Sequence, residues 1–143
     1  MTDRRVVPFK PWHYAWLANS GSATDRYTVK QVDSIAEQLQ AQNSWTGVVD
    51  GDPLVCAGTI EQWQGRHIAW AYMSQGTGPH MLWITREVKK ALAKVKGRIE
   101  FTVRADFAAG HKWARALGFE VETPLMKGFG PDGSGHTGYV RFN

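Results

Sequence analysis

The chain of 143 residues contains one cysteine, Cys56, and no apolar run near the roughly 18 residues of a membrane span. One cysteine excludes an intrachain disulfide and a zinc site of paired cysteines. The histidines lack the spacing of metal ligands, so no metal site is expected. The basic N-terminus precedes only a short apolar stretch, residues 6–9, which is too short for a signal peptide. We therefore expect a cytoplasmic protein without a membrane partner.

Positive charge exceeds negative charge, with a formal net charge of +4. Much of the excess lies in one stretch that contains Arg86, Lys89, Lys90, Lys94, Lys96, Arg98, Arg104, Lys112 and Arg115. Such a face attracts phosphates, nucleic acid or acidic proteins. The same residues are also typical of a solvated helix whose lysines complement the negative end of the helix dipole.

The length predicts one domain over residues 1–143, and hydrophobic periodicity predicts its elements. Apolar alternation and turn signals predict strands over Val6–Phe9, Trp45–Val49, Leu54–Trp63, His67–Ser74, Ile99–Val103, Phe119–Lys127 and Gly138–Phe142. Apolar residues at three- and four-residue steps predict helices over Pro11–Leu17, Thr28–Leu39, Met81–Val95 and Phe107–Leu117. The order β-α-α-β-β-β-α-β-α-β-β predicts an α/β (α+β) fold with helices packed on a mixed sheet, antiparallel over its first four strands.

A glycine-rich turn, Gln75–His80, separates the fourth predicted strand from the amphipathic helix that follows it. A helix N-terminus offers unpaired backbone N–H groups and a positive dipole end, and glycine lets a phosphate approach the backbone. The turn therefore has two interpretations. It is a phosphate site, or it only connects a strand to a helix.

Two segments and the element order resemble the GNAT superfamily of N-acetyltransferases. The first is the turn, which matches the family's coenzyme loop at Gln75 and Gly78. The second is the segment 112–120, Lys-Trp-Ala-Arg-Ala-Leu-Gly-Phe-Glu, which is similar to the family's helix-to-strand signature. The opening residues 7–13, Val-Pro-Phe-Lys-Pro-Trp-His, are similar to those of small phage-borne members. The resemblance implies the acyl-CoA N-acyltransferase fold and acetyl transfer from acetyl-CoA to an amine.

The resemblance also implies where coenzyme A binds. The pyrophosphate would lie on the turn, formed by Gln75, Gly76, Thr77, Gly78, Pro79 and His80. The pantetheine arm would pair with backbone groups of the preceding strand at Ala71, Tyr72 and Met73, and Arg86 with the lysines of 89–96 would help to hold phosphates. The turn departs from the family pattern at His80, where a small residue is expected. That histidine either crowds the phosphate or, when protonated, donates to it.

Catalytic residues follow the family pattern less closely. Many members place a glutamate base on the fourth strand, which here has no carboxylate; Glu61, across the hairpin, is the nearest substitute. Many members also place a tyrosine acid at the position of Ala114. His111, one turn earlier, and Tyr72 are the alternatives. Acetylation needs a base for the ammonium and an acid for the departing thiolate.

Two classes of function therefore stay open. One is an acetyl-CoA-dependent N-acetyltransferase whose amine acceptor is a protein or a small molecule. The other is a catalytically inactive binding or structural protein on the same fold, phage-encoded and acting in the virion or in host takeover, which the missing acid and base favour. Binding of nucleic acid by the basic stretch is a third, weaker alternative, and it predicts affinity that falls steeply with salt. The oligomeric state is open.

Overall fold

The order of strands and helices matches the expectation wherever the chain is described. The computed structural model describes residues 2–19 and 43–143. The elements in chain order are β1 (Arg4–Pro8), α1 (Pro11–Asn19), β2 (Asn43–Val49), β3 (Asp52–Trp63), β4 (Arg66–Met73), a 3-10 helix (Gln75–His80), α2 (Met81–Ala93), β5 (Arg98–Arg104), α3 (Ala108–Ala116), β6 (Glu120–Met126) and β7 (His136–Phe142). The predicted helix over Thr28–Leu39 lies outside the described residues.

The strands form one mixed sheet in the order β1-β2-β3-β4-β5-β7-β6. Neighbouring strands pair antiparallel at β1–β2, β2–β3, β5–β7 and β6–β7, and β4 pairs with β5 in parallel. The predicted mixed sheet is therefore confirmed, with the predicted strand Ile99–Val103, within β5, as the parallel neighbour of β4. The last strand, β7, lies between β5 and β6 and pairs antiparallel with both.

The hairpin turn at Asp50 and Gly51 explains why β2 and β3 are neighbours in the sheet. Asp50 and Gly51 both have positive φ, 50° and 90°. That pair of angles is the turn that matches the twist of two antiparallel strands, and Asp-Gly is among its preferred dipeptides. The turn is also tied to β1, because Asp3 N–H donates to Asp50 Oδ1 at 2.8 Å and Asp50 N–H donates to the Asp3 carbonyl.

Two compact groups of residues make up the chain. The first unit contains the described residues within Met1–Ile60 together with Trp70–Arg86. Its core is formed by Phe9, Tyr14, Leu17 and Cys56, against which Trp70 and Tyr72 of β4 pack. Burial of these apolar and aromatic side chains is the main stabilising contribution to this unit.

The second unit contains Glu61–Ala69 and Glu87–Asn143. On β5 the alternation predicted from sequence is present, since Ile99 and Val103 are buried. Phe101 lies between them on the same face and contacts Trp113 of α3 and the ring of Phe119, with centroid distances of 6.3 and 5.7 Å. Within the part of the chain that the structure describes, no helix is long and apolar enough to cross a membrane.

Candidate active site

The turn after β4 is built by local hydrogen bonds. Ser74 N–H donates to the Leu54 carbonyl at 2.9 Å, which holds the end of β4 against β3. The Ser74 hydroxyl then accepts from Gly76 N–H at 3.3 Å and caps the 3-10 helix that covers Gln75–His80. Met81 N–H donates to the Gly78 carbonyl, and α2 follows without a break. The segment predicted from sequence is thus a capped strand-to-helix connection.

β4, the strand before this turn, continues past the residues that pair with β5. The parallel register of β4 with β5 covers Arg66 to Ile68, whereas β4 itself runs on to Met73. Ala71, Tyr72 and Met73 therefore lie beyond the end of that ladder. An amide-bearing ligand could pair with backbone N–H and C=O groups at the place where such a ladder ends.

The fold itself does not require the two glycines of the turn. A Cβ added at Gly78 would meet no atom within 4 Å, and one added at Gly76 would meet only the Ser74 hydroxyl, at 3.9 Å. Neither residue has a positive φ, so other residues could adopt both conformations. The lack of a side chain at these two positions would let a ligand approach the backbone closely from solvent.

His80 ends the turn, and its ring is held from β1. Arg4 Nε–H donates to His80 Nδ1 at 3.1 Å. In the first turn of α2, the ring of Trp83 lies over Gly47 of β2. Both contacts lie within the first unit, and together they fix the start of α2.

The candidate acids and base are divided between the two units. Tyr72 belongs to the first unit with the turn; it is half-buried, and its ring contacts Tyr14 and Trp70 at centroid distances of 4.6 and 5.7 Å. Glu61 and His111 belong to the second unit. Glu61 is exposed on β3 and has no hydrogen bond or ion pair with another described residue.

Both ring nitrogens of His111 have partners. Nδ1 lies 2.7 Å from the Tyr139 hydroxyl, and Nε2 lies 3.0 Å from the Ala105 carbonyl. A carbonyl only accepts, so Nε2 is the protonated nitrogen and the Tyr139 hydroxyl donates to Nδ1 when the ring is neutral. This ring therefore joins α3 to β7 and to the end of β5.

Comparison with known structures places this geometry. No protein-family model matches the chain, and no curated protein matches it. A GNAT-family acetyltransferase from Bacillus anthracis superposes with a TM-score of 0.71 at 9% identity, over 97% of this chain and 94% of that one. The chain has the GNAT acetyltransferase fold. Two further structures superpose equally well. A putative acetyltransferase, yncA, from Salmonella typhimurium with its cofactor acetyl-CoA has a TM-score of 0.72 at 15% identity, over 98% of this chain and 94% of that one. Ard1 from Thermoplasma volcanium has a TM-score of 0.77 at 12% identity, over 96% of each chain.

Sequence reasoning missed two residues that each contact a candidate site residue, Arg4 at His80 and Tyr139 at His111. Arg4 contacts a residue 76 positions later, and nothing near it in sequence indicates that contact. Tyr139 is 2% exposed and pairs across the sheet with Phe101, so it reaches His111 only because β7 lies beside β5.

The basic stretch is less available on this GNAT fold than its charge suggests. Lys90 pairs with Glu87 at 3.0 Å, Arg98 pairs with Glu122, and Arg104 pairs with Asp132 at 2.8 Å. Pairing removes much of the field that these three side chains would present to a polyanion. These pairs involve three of the nine basic residues of the stretch, and the nucleic-acid alternative stays open.

Proposed function

We propose that this protein is an N-acyltransferase that moves an acetyl group from acetyl-CoA to an amine. The observation that supports it most is the turn at 75–80, whose glycines the packing does not need, placed after β4 in a GNAT fold. Enzymes on this fold with acetyl-CoA bound are known, as in the Salmonella structure.

The turn and the end of β4 would hold the cosubstrate. Backbone groups of Ala71, Tyr72 and Met73 would pair with the amides of the pantetheine arm, since they lie past the β4–β5 ladder. The residues of the turn would surround the pyrophosphate: Gln75, Gly76, Thr77, Gly78, Pro79 and His80. The dipole of α2 would favour the negative charge at the same place.

The reaction requires two proton transfers. The amine nitrogen attacks the thioester carbonyl after losing a proton to a base, the C–S bond breaks, and the thiolate takes up a proton from an acid. We propose Glu61 as the base, acting through water, because it is exposed and unpaired among the described residues. Of the two acids, Tyr72 is favoured over His111, because Tyr72 lies near the end of β4 in the same unit as the turn 75–80, whereas His111 belongs to the other unit.

A second candidate is a binding protein on the same fold that has lost catalysis. One observation favours it: Ala114, where the family resemblance expects a tyrosine acid, is fully buried in α3. That position serves packing here.

Calorimetry followed by an acetyl-transfer assay tests both candidates. We expect coenzyme A and acetyl-CoA to bind at micromolar concentration and thiol release to rise when a panel of amines is added. The panel should contain small polyamines and peptides with free N-termini. Binding without thiol release on any amine would favour the inactive protein. Absence of binding at millimolar coenzyme would overturn the acetyltransferase and likewise favour the inactive protein.

A further inference from the structure

The contact between Arg4 and His80 determines which ring nitrogen of the histidine has a hydrogen. A guanidinium has only donors, so the nitrogen that faces Arg4 Nε must accept. That nitrogen is Nδ1, at 3.1 Å. A neutral imidazole has one hydrogen, which must then lie on Nε2. The ring therefore presents an N–H donor on the side away from Arg4, without having to be protonated.

The position of Arg4 is itself fixed by the sheet. Its backbone pairs with Val49 at the end of β2, and the bonds between Asp3 and Asp50 hold the residue before it. Val6, on the same face of β1, pairs with Gly47, over which the Trp83 ring lies. Arg4 thus projects from the face of the sheet that the start of α2 covers.

Among the residues that the structure describes, no carboxylate forms an ion pair with Arg4. Its neighbour Arg5 points to the other face of β1 and pairs with Asp3 at 3.0 Å. Arg4 forms no ion pair with any carboxylate in residues 2–19 or 43–143, and the turn 75–80 contains no acidic residue. A guanidinium beside a neutral imidazole donor and an exposed glycine backbone is a suitable arrangement for an oxyanion.

We propose that Arg4 and His80 form an anion subsite at the end of the turn, with His80 Nε2–H donating to a phosphoryl oxygen of the cosubstrate diphosphate. Arg4 is a positioning residue, because it holds the ring in the tautomer that donates, and it adds an uncompensated positive charge. This inference rests on the proposed function. It gives His80 a role as a neutral donor, distinct from both alternatives that the sequence left open.

The test combines binding with a spectroscopic measurement. Coenzyme A and dephospho-coenzyme A, which lacks the 3′-phosphate, are titrated into the protein and into Arg4→Ala, His80→Ala and the double variant. Arg5→Ala is the matched control, since it removes the same charge from the next residue of the same strand. We expect each single variant to bind both ligands roughly tenfold or more weakly, as for loss of a hydrogen bond to a charged group. The double variant should be little worse than the singles, because both remove one coupled interaction.

Nitrogen-15 spectra of the imidazole at pH 8, where an ordinary histidine is neutral, report the tautomer directly. We expect His80 to show an unprotonated Nδ1 and a protonated Nε2, and Arg4→Ala to mix the two forms. A protonated Nδ1 would overturn the proposal even before ligand is added.

The outcomes separate this inference from the proposed function. If the protein binds coenzyme A but Arg4→Ala binds as well as Arg5→Ala, the subsite is wrong and the proposed function stands. A loss confined to coenzyme A, with dephospho-coenzyme A unaffected, would place the contact at the 3′-phosphate and overturn the diphosphate assignment. If the unmodified protein binds neither ligand, the proposed function itself fails.

Discussion

The ring of Trp83 lies against Gly47 so closely that a Cβ on Gly47 would approach Trp83 Cη2 to 3.1 Å and Val55 Cγ1 to 2.8 Å. The contact seats the first turn of α2 on the sheet directly after the turn 75–80. A side chain at position 47 must push Trp83, Val55 or both away. Position 47 therefore links the packing of the first unit to the geometry of the candidate ligand turn.

Gly47→Ala should lower both stability and coenzyme affinity. Overpacking of this kind typically costs about 1–3 kcal/mol of unfolding free energy. Denaturant unfolding measures the stability, and calorimetry at a temperature where the variant is folded measures the affinity. Gly76→Ala is the control for stability alone, since its Cβ meets only the Ser74 hydroxyl at 3.9 Å. Unchanged affinity in a folded Gly47→Ala protein would show that the seating of Trp83 does not shape the turn.

Gly78→Val should abolish coenzyme affinity and leave the fold intact. The new side chain has open space around it in the free protein, so the melting temperature should change little. In the complex it would stand between the backbone and the phosphate. Retained micromolar binding by Gly78→Val would move the phosphate site away from this turn.

Glu61→Gln and Tyr72→Phe should each lower turnover and leave coenzyme affinity unchanged, because the proposed roles are proton transfers. General acid–base groups typically contribute about 10²–10⁴-fold to the rate. His111→Ala should instead reduce stability, since it removes the bonds to Tyr139 and Ala105. Steady-state rates with an accepting amine, measured alongside thermal melts, distinguish these effects. If Glu61→Gln and Tyr72→Phe turn over as fast as the unmodified protein, the roles assigned to Glu61 and Tyr72 are wrong even if the activity is real.

Stability should decline as the pH falls below about 6.5, the ordinary histidine value, because of His13. This ring is 4% exposed, and Nδ1 accepts from Lys10 N–H at 3.0 Å and lies 2.8 Å from the Thr46 hydroxyl. Burial, with a smaller effect of the Lys10 charge, lowers the pKa of His13 in the folded protein. The unfolded chain therefore takes up the proton first, and the contribution to stability is complete above about pH 6.5 and lost between that pH and the folded-state pKa.

Urea unfolding of the protein and of His13→Gln between pH 8 and pH 5 checks this sign. The difference in unfolding free energy between the two proteins should shrink as the pH falls over that range. A difference that stays constant would show that His13 titrates alike in both states.

The thiol of Cys56 should react only after unfolding. It is fully buried beside the Thr46 hydroxyl, and burial raises its pKa to about 12. Since the thiolate is the nucleophile, both access and ionisation oppose reaction in the native protein. An aromatic disulfide reagent at pH 8 should label one thiol per chain in denaturant and label the native protein only at the rate of opening. Immediate labelling of the native protein would contradict the burial.

Some of the site could be predicted because its signals are local. The Asp50-Gly51 turn, the alternation on β5 and the glycine-rich connection after β4 each depend on residues that are adjacent in sequence. Hydrophobic periodicity and turn chemistry act over a few residues, so the pattern alone predicted these elements.

Strand order decided the rest. Tyr139 reaches His111 because β7 lies between β5 and β6, and Arg4 reaches His80 although the two residues are 76 positions apart. No local pattern encodes such neighbours, which depend on the register of strands distant in the chain. By itself the sequence determined where the strands, the helices and the glycine-rich turn lie. Only the tertiary structure decided which side chains meet there, because hydrogen bonds and close contacts depend on distances that long-range packing sets.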